Sequence, residues 1–371
     1  QEIFPQADIA VTGLNNLSTF DLAYYPTDRG PYNFDVEPTP NSAGINSDGQ
    51  LVNPESRWGG IMRSIETNDF EAANIEIIEF WVMDPFDNLG PFGSQVTDGG
   101  DLYINVGNVS EDILKDSRTF FENGLPKDGS LDELDATNWG LVPRTLPINQ
   151  AFDNDPASRQ NQDKGYDGQD DNQESEFYAD YINALSGIVS DPVLQAIQDD
   201  PAGDNYHYFR GGDYDNLALD VFQRYKRFNN PQGNSPTTES SPENYPTSAT
   251  NLPESEDLNR DYTLSETEAY FQYRIPITPD MATSNPYITD VVVAAHQFEN
   301  GITDSVRWYQ FKVPLNQFDA RIGTIQDFRS IRFIRMFMTG FEEPVVLRFA
   351  RLELVRNQWR RYQFSLLEPG E

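Results

Sequence analysis

The fold is decided by the stretch ANIEIIEFWVM, residues 73–83. Two sets of side chains alternate along it, and both are mostly apolar: Ile75, Ile77, Glu79 and Trp81 in one set, Glu76, Ile78, Phe80 and Val82 in the other. Strands that are apolar on both faces are typical of the centre of a sheet that is covered on two sides. We therefore predict a central strand here, and we expect an aspartate in place of Ile77 to unfold the chain.

Further strand patterns lie on both sides of this stretch, in two groups that are far apart in the chain. They cover residues 18–26, 60–66 and 101–109, and then 269–277, 287–295, 306–315, 330–338 and 345–355. Neither group has enough strands to cover its own apolar faces. We predict a mainly β protein, a jelly-roll-like antiparallel β-sandwich of about nine strands built from residues 1–110 plus 261–371. The turn GFEEP (340–344) predicts a hairpin of the last two strands.

Residues 111–260 differ in composition and are predicted to be a long insertion in this sandwich. They are rich in Asp, Asn, Pro and Gly, with short helical patterns at 174–185, 191–199 and 217–228. Residues 229–256 contain few apolar side chains and are predicted to form an exposed loop.

Composition excludes several classes of function. Lys and Arg total 26 against 60 Asp and Glu, which gives a formal net charge of −34. Such a surface repels nucleic-acid phosphates and attracts cations or basic partners.

The chain has no cysteine, so disulfides, thiolate zinc sites and cysteine nucleophiles are excluded. No apolar run approaches the ~20 residues of a membrane helix. No signal peptide is evident at Gln1. The expectation is a leader already removed or an internal piece of a longer chain.

The stretch QDKGYDGQDDNQE (162–174) is the first candidate metal site. Positions 1, 5, 7, 9 and 12 of a 12-residue calcium loop fall on Asp163, Asp167, Gln169, Asp171 and Glu174, with Gly168 at the sharp turn of position 6. Two features depart from that pattern. Gly165 at position 3 removes a usual ligand, and no clear entering helix precedes the loop. The alternative is a solvated acidic loop.

A weaker candidate for Ca²⁺ is DLNRDYTLSETE (257–268), in which Asp257, Asn259, Asp261 and Glu268 fit positions 1, 3, 5 and 12. Its alternative is an Asx-turn that Thr263 caps.

The C-terminal segment is rich in arginine, with nine between residues 321 and 361. Arg332, Arg335, Arg348 and Arg351 are candidate partner-docking residues, and the alternative is pairing with the protein's own acids.

Only two histidines are present, and neither has the context of a hydrolytic triad, so no enzyme is predicted. The five tryptophans could stack on sugar rings, although Trp81 and Trp308 lie in strands and are predicted to be core residues.

Long ordered strings of the sequence resemble the SprA/Sov family. They are FDLAYYPTDRGPYNFD (20–35), NPESRWGGIMRSIETNDFEAANIEIIEFWVMDPF (53–86), INVGNVSEDIL (104–114), DKGYDGQDD (163–171), HYFRGGDYD (207–215) and EDLNRDYTLSETEAYFQYRI (256–275). Members of this family are giant outer-membrane proteins of Bacteroidetes, the translocation channel of the type 9 secretion system, and are linked to gliding motility. Most of their length is a transmembrane β-barrel, whereas this chain is too acidic and loop-rich to be that barrel.

The resemblance therefore implies a non-catalytic soluble module that caps, gates or scaffolds the translocon. The implied partners are the β-barrel of the parent chain, other subunits (a PorV-type barrel and a plug protein) and secreted cargo. The implied location is the bacterial outer membrane, at the extracellular rather than the periplasmic face. The alternative, suggested only by the jelly-roll pattern, is a carbohydrate-binding module of a Bacteroidetes surface protein.

Overall fold

The computed structural model describes residues 18–30, 32–40, 42–87, 98–114, 117–118, 124–145, 152–226, 256–297 and 303–357. The described strands are β1 Phe20–Tyr24, β2 Trp58–Ser64, β3 Ile75–Met83, β4 Gly100–Asn108, β5 Leu134–Ala136, β6 Leu141–Pro143, β7 Ala269–Ile277, β8 Ile288–Gln297, β9 Thr303–Pro314, β10 Ala320–Ile322, β11 Phe333–Thr339 and β12 Val345–Arg356. The described helices are α1 Pro156–Gln162, α2 Asp171–Phe177, α3 Ala179–Leu185, α4 Asp191–Asp199, α5 Gly212–Asn216, α6 Val221–Lys226, α7 Met281–Ser284 and a short 3-10 helix at Pro54–Ser56.

Ten of these strands form two antiparallel sheets whose orders are β1-β12-β3-β9-β8 and β10-β7-β4-β11-β2. Without the edge strands β8 and β10, the orders become β1-β12-β3-β9 and β2-β11-β4-β7, which is the strand order of a jelly roll. The predicted fold class, a mainly β jelly-roll-like sandwich, is confirmed. Strands from before residue 110 and from after residue 260 are hydrogen-bonded in both sheets.

The central strand β3 was predicted correctly, and its two faces bury different clusters. Ile78, Phe80 and Val82 are fully buried between the sheets, where Phe80 stacks on Phe311 at 4.9 Å between ring centroids. On the other face Trp81 and Met83 pack with Trp308 and Ala350 in a separate cluster. Trp81 and Trp308 are therefore core residues, as predicted.

Ile77 is an exception to the predicted pattern, since it is only half-buried. An aspartate at Ile77 is therefore expected to be less destabilising than the sequence pattern predicts, because Ile78 is the residue that points into the main core.

The predicted hairpin of the last two strands is also wrong. β11 pairs with β4 and β2, while β12 pairs with β3 and β1, so residues 340–344 pass from one sheet to the other. Gly340 has a φ of 82° in this connection, a backbone conformation that glycine adopts without strain. The jelly-roll order requires this crossing, because its last two strands lie in opposite sheets.

The helices between β4 and β7 have a core of their own. Tyr181, Leu185 and Ile197 pack with Ile45 of the N-terminal segment. The helix predicted at 174–185 is two helices that meet at Tyr178, and α4 coincides with the prediction at 191–199. The third helical pattern, 217–228, contains α6, and most of the predicted loop 229–256 lies outside the described residues. The division of the chain into residues 1–110 plus 261–371 and an insertion of 111–260 stays a prediction.

Across the described ranges, none of the helices combines the length and the apolar character that crossing a membrane requires.

The position of Ile78 leads to a test of this core. Ile78→Asp is expected to lower the free energy of unfolding by about 3 kcal/mol or more, since it removes a buried side chain and places an unpaired carboxylate between two sheets. Ile77→Asp, on the half-buried face one residue earlier, is the matched control and is expected to be clearly milder. Urea denaturation of both variants measures the difference. Equal losses would mean that the two faces of β3 have been assigned wrongly.

Candidate metal centre

The acidic stretch at 162–174 is a helix–loop–helix, and local sequence determines both helices. α1 begins at Pro156 with Asp155 as its N-cap, whose side chain accepts from the Ser158 N–H at 3.0 Å. α2 begins at Asp171, position 9 of the proposed calcium loop, with Asp170 and Gln173 as a reciprocal capping box. The sequence analysis found no clear entering helix, but the structure has one, and the Asp155-Pro156 pair was its signal.

Three carboxylates meet at the centre of this region. Asp167, Glu174 and Asp204 are 2 %, 1 % and 0 % exposed, and one oxygen of each lies within 4.8 Å of an oxygen of the other two. Two of them, Asp167 and Glu174, are predicted ligands. The third comes from the segment after α4.

Asp204 reaches the loop because position 3 is a glycine. A Cβ atom at Gly165 would lie 2.5 Å from both carboxylate oxygens of Asp204, and the φ of Gly165 is +101°. The N–H groups of Tyr166 and Asp167 both donate to Oδ2 of Asp204. The glycine that departs from the usual calcium loop therefore makes room for a carboxylate from another segment.

A second group shares Glu174 with the first. Asp171, Glu174 and Asp200 each place an oxygen within 4.8 Å of the others. Asp171 is exposed, and Asp200 is half-buried. Four carboxylates are thus arranged around the buried side chain of Glu174.

The hydrogen bonds around these groups suit charged carboxylates. The Ala202 N–H donates to Oε2 of Glu174 at 2.9 Å. Asp167 accepts from the Gln169 N–H at 2.9 Å and from the Gln169 side-chain amide at 3.1 Å. These donors lower the pKa of the two acids.

Burial and mutual repulsion outweigh those donors. Burial, and then the charge of Asp204, raise the pKa of Glu174 to about 9. Burial and the charge of Glu174 raise the pKa of Asp167 well above its ordinary value, and burial and the charge of Asp167 do the same for Asp204. The three groups can be ionised together only where positive charge is brought to them.

The remaining predicted ligands of the first site are placed differently. Asp163 lies in a buried ion pair with Arg159, at 2.9 Å between Oδ2 and the guanidinium nitrogen. Gln169 serves as a donor to Asp167. Sequence reasoning missed Asp200 and Asp204 because both lie beyond α4, outside the 12-residue window of the motif.

The second candidate site, residues 257–268, forms a network of turn hydrogen bonds. Asp257 accepts from the N–H groups of Asp261 and Tyr262, and Asp261 accepts from the N–H and hydroxyl of Thr263. Asn259 accepts from the Asp261 N–H at 2.9 Å. These contacts are those of the Asx-turn alternative.

Glu268, the last candidate ligand of that site, directly precedes β7, and its carboxylate accepts from both terminal nitrogens of Arg335 at 3.2 and 3.3 Å. Two other arginines also pair with the protein's own acids. Arg348 contacts Asp21 through two nitrogens at 2.9 Å, and Arg351 lies 3.8 Å from Glu353. Arg332 is exposed. Partner docking by these arginines stays a prediction.

The fold and this site define a class: a jelly-roll β-sandwich whose helical segment between β4 and β7 contains a buried carboxylate centre. Residues 180–370 match the model of the SprA_N family, described as motility related/secretion protein. The matched range is more than half of the 371 residues, and the chain belongs to this family. The match includes Asp200, Asp204 and the strands from β7 onward. A role related to secretion or motility follows from this membership. None of the curated proteins matches the chain.

The pKa of Glu174 predicts how stability depends on pH without a divalent cation. A carboxyl group whose pKa is raised from 4.5 to about 9 by folding stabilises the protein fully below its unfolded pKa. That contribution is lost as the pH rises towards the folded value. In chelator, the free energy of unfolding is therefore expected to fall as the pH increases from about 5 to about 9.

The variant Glu174→Gln removes this titration, because the amide cannot ionise, while the acids on the protein surface are unchanged. Urea denaturation at several pH values is expected to give a shallower slope for the variant than for the wild type. Equal slopes would show that Glu174 titrates normally in the folded protein.

Proposed function

We propose that this chain is a non-catalytic module of the type 9 secretion system, part of the outer-membrane translocon that supports protein export and gliding motility. Membership of a motility and secretion family carries this proposal. In it the module caps, gates or scaffolds the translocon at the outer membrane, on the extracellular face. Its partners are the β-barrel of the parent chain, a PorV-type barrel subunit, a plug protein and secreted cargo.

The architecture suits a structural role of this kind. A closed jelly roll offers two packed sheets and a rigid frame, and a net charge of −34 keeps the surface solvated and repels other acidic surfaces. Contacts are therefore expected with neutral or basic surfaces of the partners.

The export role can be tested in cells that carry the parent gene. Removal of the segment that encodes this module is expected to reduce secretion of type 9 cargo and the spreading of colonies, as measured by mass spectrometry of the culture medium and by motility assays. The control is Glu176→Gln, a change at an exposed side chain. Normal secretion by the deletion strain, at normal abundance of the remaining translocon, would contradict the proposal.

We further propose that the carboxylate centre binds Ca²⁺ as a structural ion. Asp167, Glu174 and Asp204 would bind a metal through carboxylate oxygens. Calcium prefers such hard oxygen ligands and takes six to eight of them. Backbone carbonyls and water would complete such a sphere. A bound cation also permits the three buried carboxylates to be ionised together. The N–H groups that donate to them favour the same ionised state.

Calcium is expected to raise the melting temperature of the purified protein and chelator to lower it. Binding to the folded state alone contributes about 2.7 kcal/mol at a hundredfold excess over the dissociation constant. Magnesium is expected to be less effective, because it gives up water reluctantly and requires a tighter octahedron. Glu174→Gln and Asp204→Asn should remove most of the response in differential scanning calorimetry.

Asp163→Asn is the matched control for this experiment. It leaves the buried Arg159 without its ion pair and should destabilise the protein, but the response to calcium should persist. If Asp163→Asn removes the response while Asp204→Asn keeps it, the ion is bound by the contiguous 12-residue loop instead. If the wild type does not respond at all, the centre holds no calcium.

Carbohydrate binding is the second candidate function, and one surface observation favours it. Trp58 is 70 % exposed on the outer face of its sheet, beside Phe337 at 6.4 Å, which in turn stacks on Tyr103 at 4.8 Å between ring centroids. Aromatic strips of this kind can stack on sugar rings. Saturable binding to a glycan array that Trp58→Ala abolishes would favour this function over a purely structural one.

A further inference from the structure

A cavity of about 450 Å³ lies between the N-terminal segment and the helical insertion, away from the outer sheet face. Aromatic rings and two carboxylates dominate its wall: Phe34, Trp139, Phe177, Tyr178, Asp35 and Asp180. Its volume is in the range of ligand pockets, which usually exceed 300 Å³. Neither the family description nor the carboxylate centre accounts for it.

The rings in this wall are held in fixed positions. Phe34 stacks on Tyr178 with 3.8 Å between ring centroids and 10° between planes. The Tyr178 hydroxyl donates to the Trp139 carbonyl at 2.6 Å. Phe177 packs edge-on against Tyr178 at 4.9 Å. A rigid wall of this kind loses little conformational entropy when a ligand binds.

The ionisable side chains of the wall carry negative charge. Asp35 accepts from the Thr39 hydroxyl at 2.6 Å, which leaves its other oxygen for a further donor. Asp180 is exposed at the start of α3. No lysine or arginine is among the described residues that line the cavity. The acidic wall and the net charge of −34 together favour a cationic ligand.

Two of these rings, Phe34 and Tyr181, already have a cation from within the chain against them. The Arg29 guanidinium lies 5.5 Å from the ring centroid of Phe34 and 5.7 Å from that of Tyr181. These distances are within the range of cation–π attraction. Arg29 is anchored by a hydrogen bond to the Pro201 carbonyl at 2.7 Å and is not itself part of the cavity wall.

We propose that this aromatic pocket binds a guanidinium or alkylammonium group, with the cation against Trp139 and Phe177, wall rings that Arg29 does not contact, and hydrogen bonds to Asp35 and Asp180. The volume exceeds that of one side chain, so the pocket can also take the backbone on either side of a basic residue. The shared chemistry is an organic cation, which can come from a small molecule or from a peptide segment.

The test uses the full chain in chelator, so that calcium bound at the carboxylate centre does not contribute to the signal. Calorimetric titration compares N-acetyl-arginine amide with N-acetyl-citrulline amide, which has nearly the same shape and no charge. The arginine amide is expected to bind about tenfold more tightly or better, and to shift the NMR signal of the Trp139 indole N–H. A longer peptide with one central arginine distinguishes the two sources. If the peptide binds more tightly than the arginine amide, the ligand is a peptide segment, and if the two bind equally, it is a small organic cation.

Asp180→Asn is the test variant, because Asp180 is exposed and its change should not affect folding. Binding of the arginine amide is expected to weaken at least about threefold. Glu176→Gln, an exposed acid one turn earlier that does not line the cavity, is the matched control and should bind as the wild type does. Equal binding of citrulline and arginine, binding of neutral sugars in their place, or an unchanged affinity in Asp180→Asn would each overturn the proposal.

Discussion

The structure depends on the backbone hydrogen bonds of two buried strands. β3 and β4 are the middle strands of the two sheets, and β3 pairs with β12 and β9 while β4 pairs with β11 and β7. Every one of these partners comes from beyond residue 268. Unpaired N–H and C=O groups in a buried strand are costly, so the N-terminal half cannot close its core until the C-terminal half is present. The large sequence separation of these contacts also predicts slow folding.

This constraint fixes both ends of the helical segment between β4 and β7, the segment predicted to be an insertion. The chain leaves the sandwich at the end of β4 and returns at the start of β7, and these two strands are hydrogen-bonded neighbours. Between them the insertion packs on the N-terminal segment through its own small core. The sandwich core is much the larger of the two clusters, and its burial provides most of the hydrophobic stabilisation. A buried group of carboxylates is therefore tolerated in the insertion, where it would be too costly in a chain with no other core.

The features that could be predicted from the sequence are the local ones. Period-two patterns such as that of β3 depend only on neighbouring residues, and they located the strands and the fold class. The hairpin at 340–344 failed because a short turn does not show whether its strands share a sheet. Asp204 could not be found from a loop motif, since it reaches Glu174 through the tertiary fold. Gly165 was the only local signal, and its meaning became clear only once Asp204 was seen beside it.

One tyrosine joins the two candidate sites of the insertion. The ring of Tyr178 is a wall of the aromatic pocket, and its hydroxyl donates to the Trp139 carbonyl at 2.6 Å. Burial, and then the charge of Asp167, raise the pKa of that hydroxyl well above its ordinary value. The aromatic pocket and the carboxylate centre therefore share one buried side chain. Tyr178 links them because its ring packs in the wall of the pocket while its hydroxyl lies in the field of the carboxylates.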